Sequence, residues 1–295
     1  MNGGELVAAA LEREGVRAVF TLCGGHISPI LVAAKRRGIR VVDVRDEAAA
    51  IFAADAVARL TGVPGVAVVT AGPGATNSLT AITNARQAES PVIVLGGAPP
   101  TILKGRGALQ DVDHQAMLVP HVKSAALVTR VRDLAPAVAR AFAAARSGTP
   151  GPAFVECPTD VLYDERIVRE MYGVDAPPRD RTLSDRVRHW ALKRHVARLM
   201  QPGAAVDTGA QSLETPPPSP ELPGRAVSRT SDLLRRARRP VLVLGSQAVR
   251  VGALIPRLIE ALEHLGVPVY TNGMARGLLR PGHSLSFRHR RTAAL

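Results

Sequence analysis

Cysteine is almost absent from this chain of 295 residues, which contains only Cys23 and Cys157. Two isolated cysteines cannot build a disulfide framework or a four-cysteine zinc site. So few cysteines are typical of proteins in reducing compartments, where disulfides are rare. We therefore expect a cytoplasmic protein whose own residues form no metal site.

Long apolar runs are also missing, although 46% of the residues are hydrophobic. No run approaches the roughly 18 residues that a membrane-spanning helix needs, and the N-terminus lacks a signal-peptide pattern. Aromatic residues make up only 3% of the chain, so alanine, valine and leucine must fill its core. The composition predicts a globular α/β protein with no membrane partner.

Acidic residues are scarce in the second half, and the chain as a whole has a net charge of +13. Residues 1–160 contain 16 basic and 13 acidic residues, whereas residues 161–295 contain 22 and 12. A basic surface can bind nucleic acid, but these basic clusters lack interleaved aromatics and match no DNA- or RNA-binding pattern. We interpret them as a solvated, arginine-rich surface and expect no nucleic-acid partner.

Several motifs that would define a familiar catalytic or nucleotide site are absent. The chain has neither the dinucleotide fingerprint G-x-G-x-x-G nor the phosphate-binding loop G-x-x-x-x-G-K-[ST]. It also lacks the nucleophile elbow G-x-S-x-G and the zinc motif H-E-x-x-H. These absences exclude the simplest dehydrogenase, nucleotide hydrolase, esterase and metalloprotease interpretations.

What the sequence does contain is a regular alternation of helical segments and short apolar strands. Strands are predicted at residues 16–22, 40–44, 66–70, 92–95 and 126–131. Strands that are apolar on both faces and separated by helices predict a doubly wound parallel sheet. Ligands bind such sheets at the carboxyl ends of the strands.

We expect the chain to divide into three parts. A compact α/β domain covers residues 1–165, and a basic helix followed by a Pro-rich linker covers residues 166–230. A second α/β unit covers residues 231–295, with strands predicted at 241–245 and 267–270. Because we predict only two strands for this unit, we expect it to be an incomplete domain.

Glu47 is the main candidate for catalysis. It lies between a largely apolar strand and the almost uninterrupted apolar helix predicted at residues 48–60. Asp46 can cap that helix, which places Glu47 in its first turn. An apolar helix favours dry surroundings and a role in proton transfer, although a solvated first-turn acid fits the same spacing.

Other polar and flexible residues fall near the same predicted edge. Gly24 and Gly25 follow the first strand, and the glycine-containing turn 71–77 follows the third. His26 and His114 are candidates for acid–base chemistry, but a hydrogen-bonded structural histidine is the more common occupant of such a position. Further along the chain, Gln110 and Asp113 could line the same cleft or simply be polar loop residues.

Four motifs in order resemble the thiamine-diphosphate-dependent enzymes of the acetolactate synthase family. Residues 45–50 are similar to the family's R-H-E-x-x-A segment, and residues 71–77 match its A-G-P-G-A-T-N turn. Residues 109–113 resemble its F-Q-E-x-D loop, and residues 151–161 resemble its G-P-V-x-I-E-x-P-x-D-V strand end. The resemblance covers the first 165 residues and implies a pyrimidine-binding domain, followed by the start of the family's central domain.

The resemblance implies that Glu47 is catalytic and contacts the N1′ nitrogen of the cofactor's aminopyrimidine. It also implies a catalytic residue, Gln110, that faces the substrate, with His26 as a weaker candidate there. The implied cofactor-binding residues are Gly24, Gly25, Glu47, Gly72, Pro73 and Asn77. The implied cofactor is thiamine diphosphate with Mg²⁺, and the resemblance also allows FAD.

The substrate implied by the resemblance is a 2-oxo acid or a 2-hydroxyacyl-CoA thioester, and the implied partner is a second copy or a full-length homologue. This chain departs from the family's motifs at three positions, where Asp46 replaces His, Leu109 replaces Phe and Asp111 replaces Glu. We expect these replacements to affect the substrate preference more than the class of cofactor. No G-D-G segment for Mg²⁺ and the diphosphate is present. We therefore expect these 295 residues alone to be inactive or very weakly active. The alternative is a non-catalytic module that pairs with full-length homologues.

Overall fold

The computed structural model describes residues 2–175, 183–201, 223–249 and 252–287. The chain divides into two compact units, residues 1–217 and 218–295. Most of the Pro-rich linker predicted within residues 166–230 lies outside the described residues, and the predicted domain bounds remain a prediction.

A six-stranded parallel sheet forms the centre of the first unit, as the apolar strands predict. Its strands are β1 (Ala18–Thr21), β2 (Arg40–Asp43), β3 (Gly65–Val69), β4 (Val92–Ala98), β5 (Ser124–Leu127) and β6 (Ala153–Pro158). Their order across the sheet is β2-β1-β3-β4-β6-β5. From β1 the chain continues to β2 on one side of the sheet, whereas from β3 it continues to β4 on the other side. A crevice is therefore expected between the carboxyl ends of β1 and β3.

Ten described helices accompany this sheet in the first unit. They are α1 (Gly3–Arg13), α2 (Ser28–Arg36), α3 (Glu47–Thr61), α4 (Pro73–Asn77), α5 (Leu79–Gln87), α6 (His114–Leu118), α7 (Leu134–Arg146), α8 (Thr159–Leu162), α9 (Glu165–Met171) and α10 (Leu183–Leu199). Helices α1, α2 and α7 pack on one face of the sheet, and α3 and α5 pack on the other.

Strand β3 shows why both faces are covered. Val66 and Val68 belong to one apolar cluster, whereas Ala67 and Val69 belong to the other. Neighbouring residues of a strand point to opposite faces, so an all-apolar strand must be covered twice. The prediction of a doubly wound parallel sheet is confirmed.

Some predicted boundaries were wrong. The turn expected at residues 71–77 contains a short helix, because Pro73 begins α4, and Ser78 separates α4 from α5. The strand expected at residues 126–131 is β5, which begins at Ser124 and ends at Leu127. Short elements such as α4 carry too little periodicity for their ends to be placed from sequence.

The second unit contains a three-stranded parallel sheet rather than the two strands we expected. Its elements are α11 (Gly224–Arg236), β7 (Leu242–Leu244), α12 (Ile255–Leu265), β8 (Val269–Thr271) and β9 (Ser286–Phe287). Strand β9 pairs with β8 through only two residues, too short a segment to give a strand pattern in the sequence. Among the described helices of both units, none is long and apolar enough to cross a membrane.

Candidate functional site

Glu47 is the first residue of α3 and is only 5% exposed. The side chain of Asp46 accepts hydrogen bonds from the backbone N–H groups of Ala48 at 2.8 Å and Ala49 at 3.4 Å, so it caps the helix as predicted. The cap fixes where the helix begins and therefore where Glu47 points. The expectation of dry surroundings is confirmed, and the solvated first-turn alternative is wrong.

Asn77 is the partner of Glu47. The short helix α4 brings Asn77 back towards α3, and its Nδ2 donates to Glu47 Oε2 at 3.1 Å. The other carboxylate oxygen, Oε1, faces Gly74, where an added Cβ would lie 3.3 Å away. Within the part of the chain that the structure describes, Oε1 has no hydrogen-bond partner, so one oxygen is held in place while the other is available to a ligand.

The glycines of this region permit close approach between backbone and side chains. A Cβ at Gly24 would lie 2.5 Å from Thr70 Oγ1, and a Cβ at Gly97 would lie 2.6 Å from His26 Cβ. Neither distance is compatible with a larger residue. Gly25 differs, since nothing lies within 4 Å of its added Cβ. At the expected crevice between β1 and β3, Gly24 is therefore tightly packed, whereas Gly25 has free space around it.

His26 lies at the carboxyl end of β1 and is half-buried. Its Nδ1 lies 3.4 Å from Thr70 Oγ1. Burial lowers the pKa of His26 below the ordinary value of 6.5. His26 is therefore neutral at neutral pH, when one ring nitrogen donates and the other accepts.

Gln110 is brought to the glycine turn by the loop that precedes α6. Its φ of 61° lies in the left-handed region, and a Cβ added to Gly72 would meet Gln110 Cβ at 2.8 Å. The loop is braced by Asp111, whose Oδ2 accepts from the backbone N–H groups of Arg106 at 3.0 Å and Gly107 at 3.2 Å. Gly72 itself has a φ of 58°, so a side chain there would meet both backbone strain and Gln110.

His114 is fully buried and engaged through both ring nitrogens. Its Nε2 accepts from the backbone N–H of Gly72 at 2.9 Å, and its Nδ1 lies 3.1 Å from Glu156 Oε1. Both nitrogens are occupied by protein groups, so the acid–base role considered for His114 is not supported. His114 instead connects the glycine turn to strand β6.

Glu156 was not predicted from the sequence as a site residue. It is fully buried in β6 and accepts hydrogen bonds from His114, from Lys104 and from Gln115 Nε2 at 2.7 Å. Burial acts to raise the pKa of Glu156, but its three donors outweigh this effect, so the pKa lies below its ordinary value of 4.5. One signal was available, because a carboxylate inside the apolar strand Ala153–Pro158 requires buried partners.

The remaining predicted residues come together as follows. Gly24, Gly25 and His26 follow β1, Glu47 follows β2, and Gly72, Pro73 and Asn77 follow β3. Asp113 caps α6 through a hydrogen bond from the N–H of Ala116 at 3.1 Å. The described residues contain no group of three or more His, Cys, Asp or Glu side chains that could hold a metal ion.

Residues 1–117 match the family model described as the thiamine pyrophosphate enzyme, N-terminal TPP binding domain. The whole chain is 50% identical over 296 residues to 2-hydroxyacyl-CoA lyase 2 of Homo sapiens and 48% identical over 294 residues to that of Caenorhabditis elegans. It covers 46% and 45% of those two proteins.

The chain is also 35% identical over 295 residues to a probable acetolactate synthase of Mycobacterium bovis, of which it covers 47%. It therefore spans about half the length of the curated relatives it matches. The six-stranded parallel sheet with helices on both faces is consistent with the pyrimidine-binding domain of such enzymes.

Proposed function

We propose that this chain, whose residues 1–117 match the model of the thiamine pyrophosphate enzyme N-terminal TPP binding domain, is the pyrimidine-binding part of a thiamine-diphosphate-dependent C–C lyase or carboligase. The observation that carries the proposal is the buried carboxylate of Glu47. Asn77 holds one of its oxygens, and the other faces the glycine turn. The substrate class that we favour is a 2-hydroxyacyl-CoA, because relatives of that name are about 50% identical and the acetolactate synthase is 35% identical.

The residues present fit an aminopyrimidine ring. A ring nitrogen needs a carboxylate that is buried and has an unused oxygen, and Glu47 Oε1 meets both conditions among the described residues. A flat ring also needs space close to the backbone, which Gly25 leaves open. We propose that Gly24, Gly25, Gly72 and Pro73 shape this pocket.

The diphosphate and Mg²⁺ need other residues. The chain contains no G-D-G segment, and its described residues bring no three metal-ligating side chains together. We propose that these groups are held by residues outside the 295, in a region corresponding to the half of the relatives that the chain does not cover. We expect a second subunit to supply these residues.

We also propose that the protein is cytoplasmic, because both of its cysteines are free and free cysteines are typical of reducing compartments.

When bound, thiamine diphosphate supplies a carbon nucleophile and an electron sink for breaking and forming C–C bonds. The protein's contribution is to control a proton. Glu47 Oε1 would hold and exchange the proton of a ring nitrogen of the bound cofactor, while Asn77 keeps the carboxylate in one orientation. His26, neutral and half-buried beside Thr70, would hydrogen-bond to the substrate, and Gln110, which lies against Gly72, would orient it.

A chimera tests this proposal. The 295 residues are fused to the C-terminal part of human 2-hydroxyacyl-CoA lyase 2 that the chain does not cover, and loss of a 2-hydroxyacyl-CoA is followed by chromatography. Glu47→Gln keeps the size of the side chain and an oxygen for Asn77 but cannot exchange the proton, so kcat should fall by roughly 10²–10⁴-fold. Asp43→Asn is the matched control, because Asp43 is an exposed carboxylate at the end of β2.

Two results would contradict the proposal. Undiminished turnover in the Glu47→Gln chimera would remove Glu47 from the chemistry. Failure of a folded chimera that binds thiamine diphosphate to turn over either a 2-hydroxyacyl-CoA or pyruvate would remove the proposed reaction.

A further inference from the structure

Among the residues that the structure describes, the backbone of the glycine turn makes one long-range hydrogen bond. Within the turn, the hydrogen bonds are local, from Gly74 N to Ala71 O at 3.3 Å and from Thr76 N to Gly72 O at 3.0 Å. The N–H of Gly72 instead reaches across 42 residues of sequence to Nε2 of His114. Pro73 has no N–H to contribute, so the orientation of the turn depends on this bond.

The hydrogen bonds of His114 define its tautomer. A backbone N–H can only donate, so Nε2 must carry a lone pair rather than a proton. The facing group at Nδ1 is the buried carboxylate of Glu156, which accepts, so Nδ1 must carry the proton. A ring protonated on both nitrogens would place an N–H against the N–H of Gly72. Glu156 therefore selects the form of His114 that can hold the turn.

The orientation of the turn matters because α4 begins directly after Gly72. This helix is only five residues long and ends at Asn77, whose amide holds Glu47. A rotation of the turn would move Asn77 relative to the carboxylate. Gln110 also lies against Gly72, where an added Cβ would be 2.8 Å from Gln110 Cβ.

We propose that His114, held as its Nδ1–H tautomer by Glu156, is a positioning residue that anchors Gly72 and thereby aims Asn77 at Glu47. His114 is fully buried with both ring nitrogens engaged by protein groups, so its effect on the site passes through Gly72. Its importance for catalysis rests on the proposed function, but the hydrogen-bond relay itself does not. The relay joins β6, α6, α4 and α3 through four side chains and one backbone amide.

NMR of the complete, ¹⁵N-labelled 295-residue chain tests the relay without any cofactor. The wild type should show a scalar coupling across the hydrogen bond between Gly72 N and His114 Nε2, with Nε2 unprotonated and Nδ1 protonated. A protonated Nε2, or no coupling to Gly72, would overturn the proposal.

Variants test the effect on the site. His114→Leu should speed exchange of the Gly72 amide hydrogen by about tenfold or more, as expected when a buried hydrogen bond is lost, and should shift the side-chain amide signals of Asn77. His114→Gln can both accept from Gly72 and donate to Glu156, and it should restore both signals. Gln115→Leu is the control, since it removes one Glu156 hydrogen bond but makes no contact with Gly72.

Unchanged Asn77 signals in folded His114→Leu would overturn the positioning role. If that variant fails to fold, the wild-type coupling and the His114→Gln spectra decide. In the chimera, His114→Leu should lower kcat more than it raises the KM for substrate, and His114→Gln should recover most of the loss. A chimera with no turnover would count against the proposed function alone, because the NMR measurements do not require it.

Discussion

Replacing Lys104 by methionine should destabilise the first unit strongly. The Lys104 ammonium group is the only cation among the three donors to the fully buried carboxylate of Glu156. Methionine keeps an unbranched apolar side chain of comparable length, so packing along the stem is preserved. The change therefore isolates the loss of the charge.

The size of the effect follows from burial. Breaking a buried ion pair by removing one partner costs about 3–5 kcal/mol, because the other charge is left without compensation. Lys104 is 22% exposed, and His114 and Gln115 still donate to Glu156. We therefore take the lower end, about 3 kcal/mol, which corresponds to a fall in Tm of about 6–12 °C for a unit of this size.

The assay is thermal unfolding followed by far-UV circular dichroism at several pH values. The pKa of Glu156 is lowered in the folded protein, so its ionised form contributes stability that is complete above the ordinary value of 4.5. That contribution is lost as pH falls through the lower, folded value. The difference between wild type and Lys104→Met should thus be full at pH 7 and shrink as the solution is acidified below pH 4.5.

Two further variants make the test decisive. Lys104→Met combined with Glu156→Gln leaves no buried charge and should be more stable than Lys104→Met alone. Arg130→Met is the control for an exposed ion pair. The side chains of Arg130 and its partner Asp133 are 46% and 39% exposed, so this change should barely alter Tm. A Lys104→Met protein as stable as wild type at pH 7 would refute the reasoning.

Two other predictions follow from local geometry. Gly72→Ala should lower stability by about 1–3 kcal/mol in urea denaturation, because Gly72 has a φ of 58° and its Cβ would press on Gln110. Gly25→Ala, with nothing within 4 Å, should be nearly neutral for folding, and equal effects of the two changes would contradict this account. Burial, aided by the adjacent Glu156 carboxylate, raises the pKa of the Cys157 thiol to about 12. A thiol reagent at pH 8 should therefore modify the exposed Cys23 quickly and the buried Cys157 only after denaturation. Rapid modification of both cysteines would contradict this and would show that β6 opens readily.

Local patterns predicted the parts of the site that depend on neighbouring residues. The helix after Glu47 is apolar, which favoured the burial of Glu47 over a solvated position, and Asp46 was placed correctly as the helix cap. The apolar strands predicted a parallel sheet, and the carboxyl ends of such strands always share an edge. Gly24, Gly72 and Glu47 could therefore be assigned to the same side of the sheet from the sequence alone.

The relay could not be predicted, because its partners are far apart in the chain. His114 contacts Gly72 and Glu156, each 42 residues away, and Lys104 reaches Glu156 across 52 residues. No local periodicity encodes such pairs. The sequence left His114 open between an acid–base group and a hydrogen-bonded structural residue for this reason, since its two partners were invisible in the sequence.

By itself, then, the sequence determined the class of fold and the edge of the sheet where the candidate residues lie, and it favoured the burial of Glu47. Each of these depends on hydrophobic periodicity and on residues adjacent in the chain. The tertiary structure decided the strand order, the pairing of Asn77 with one oxygen of Glu47 and the buried partners of Glu156. These features arise only when packed elements exclude water and force each buried polar group to find a partner from another part of the chain.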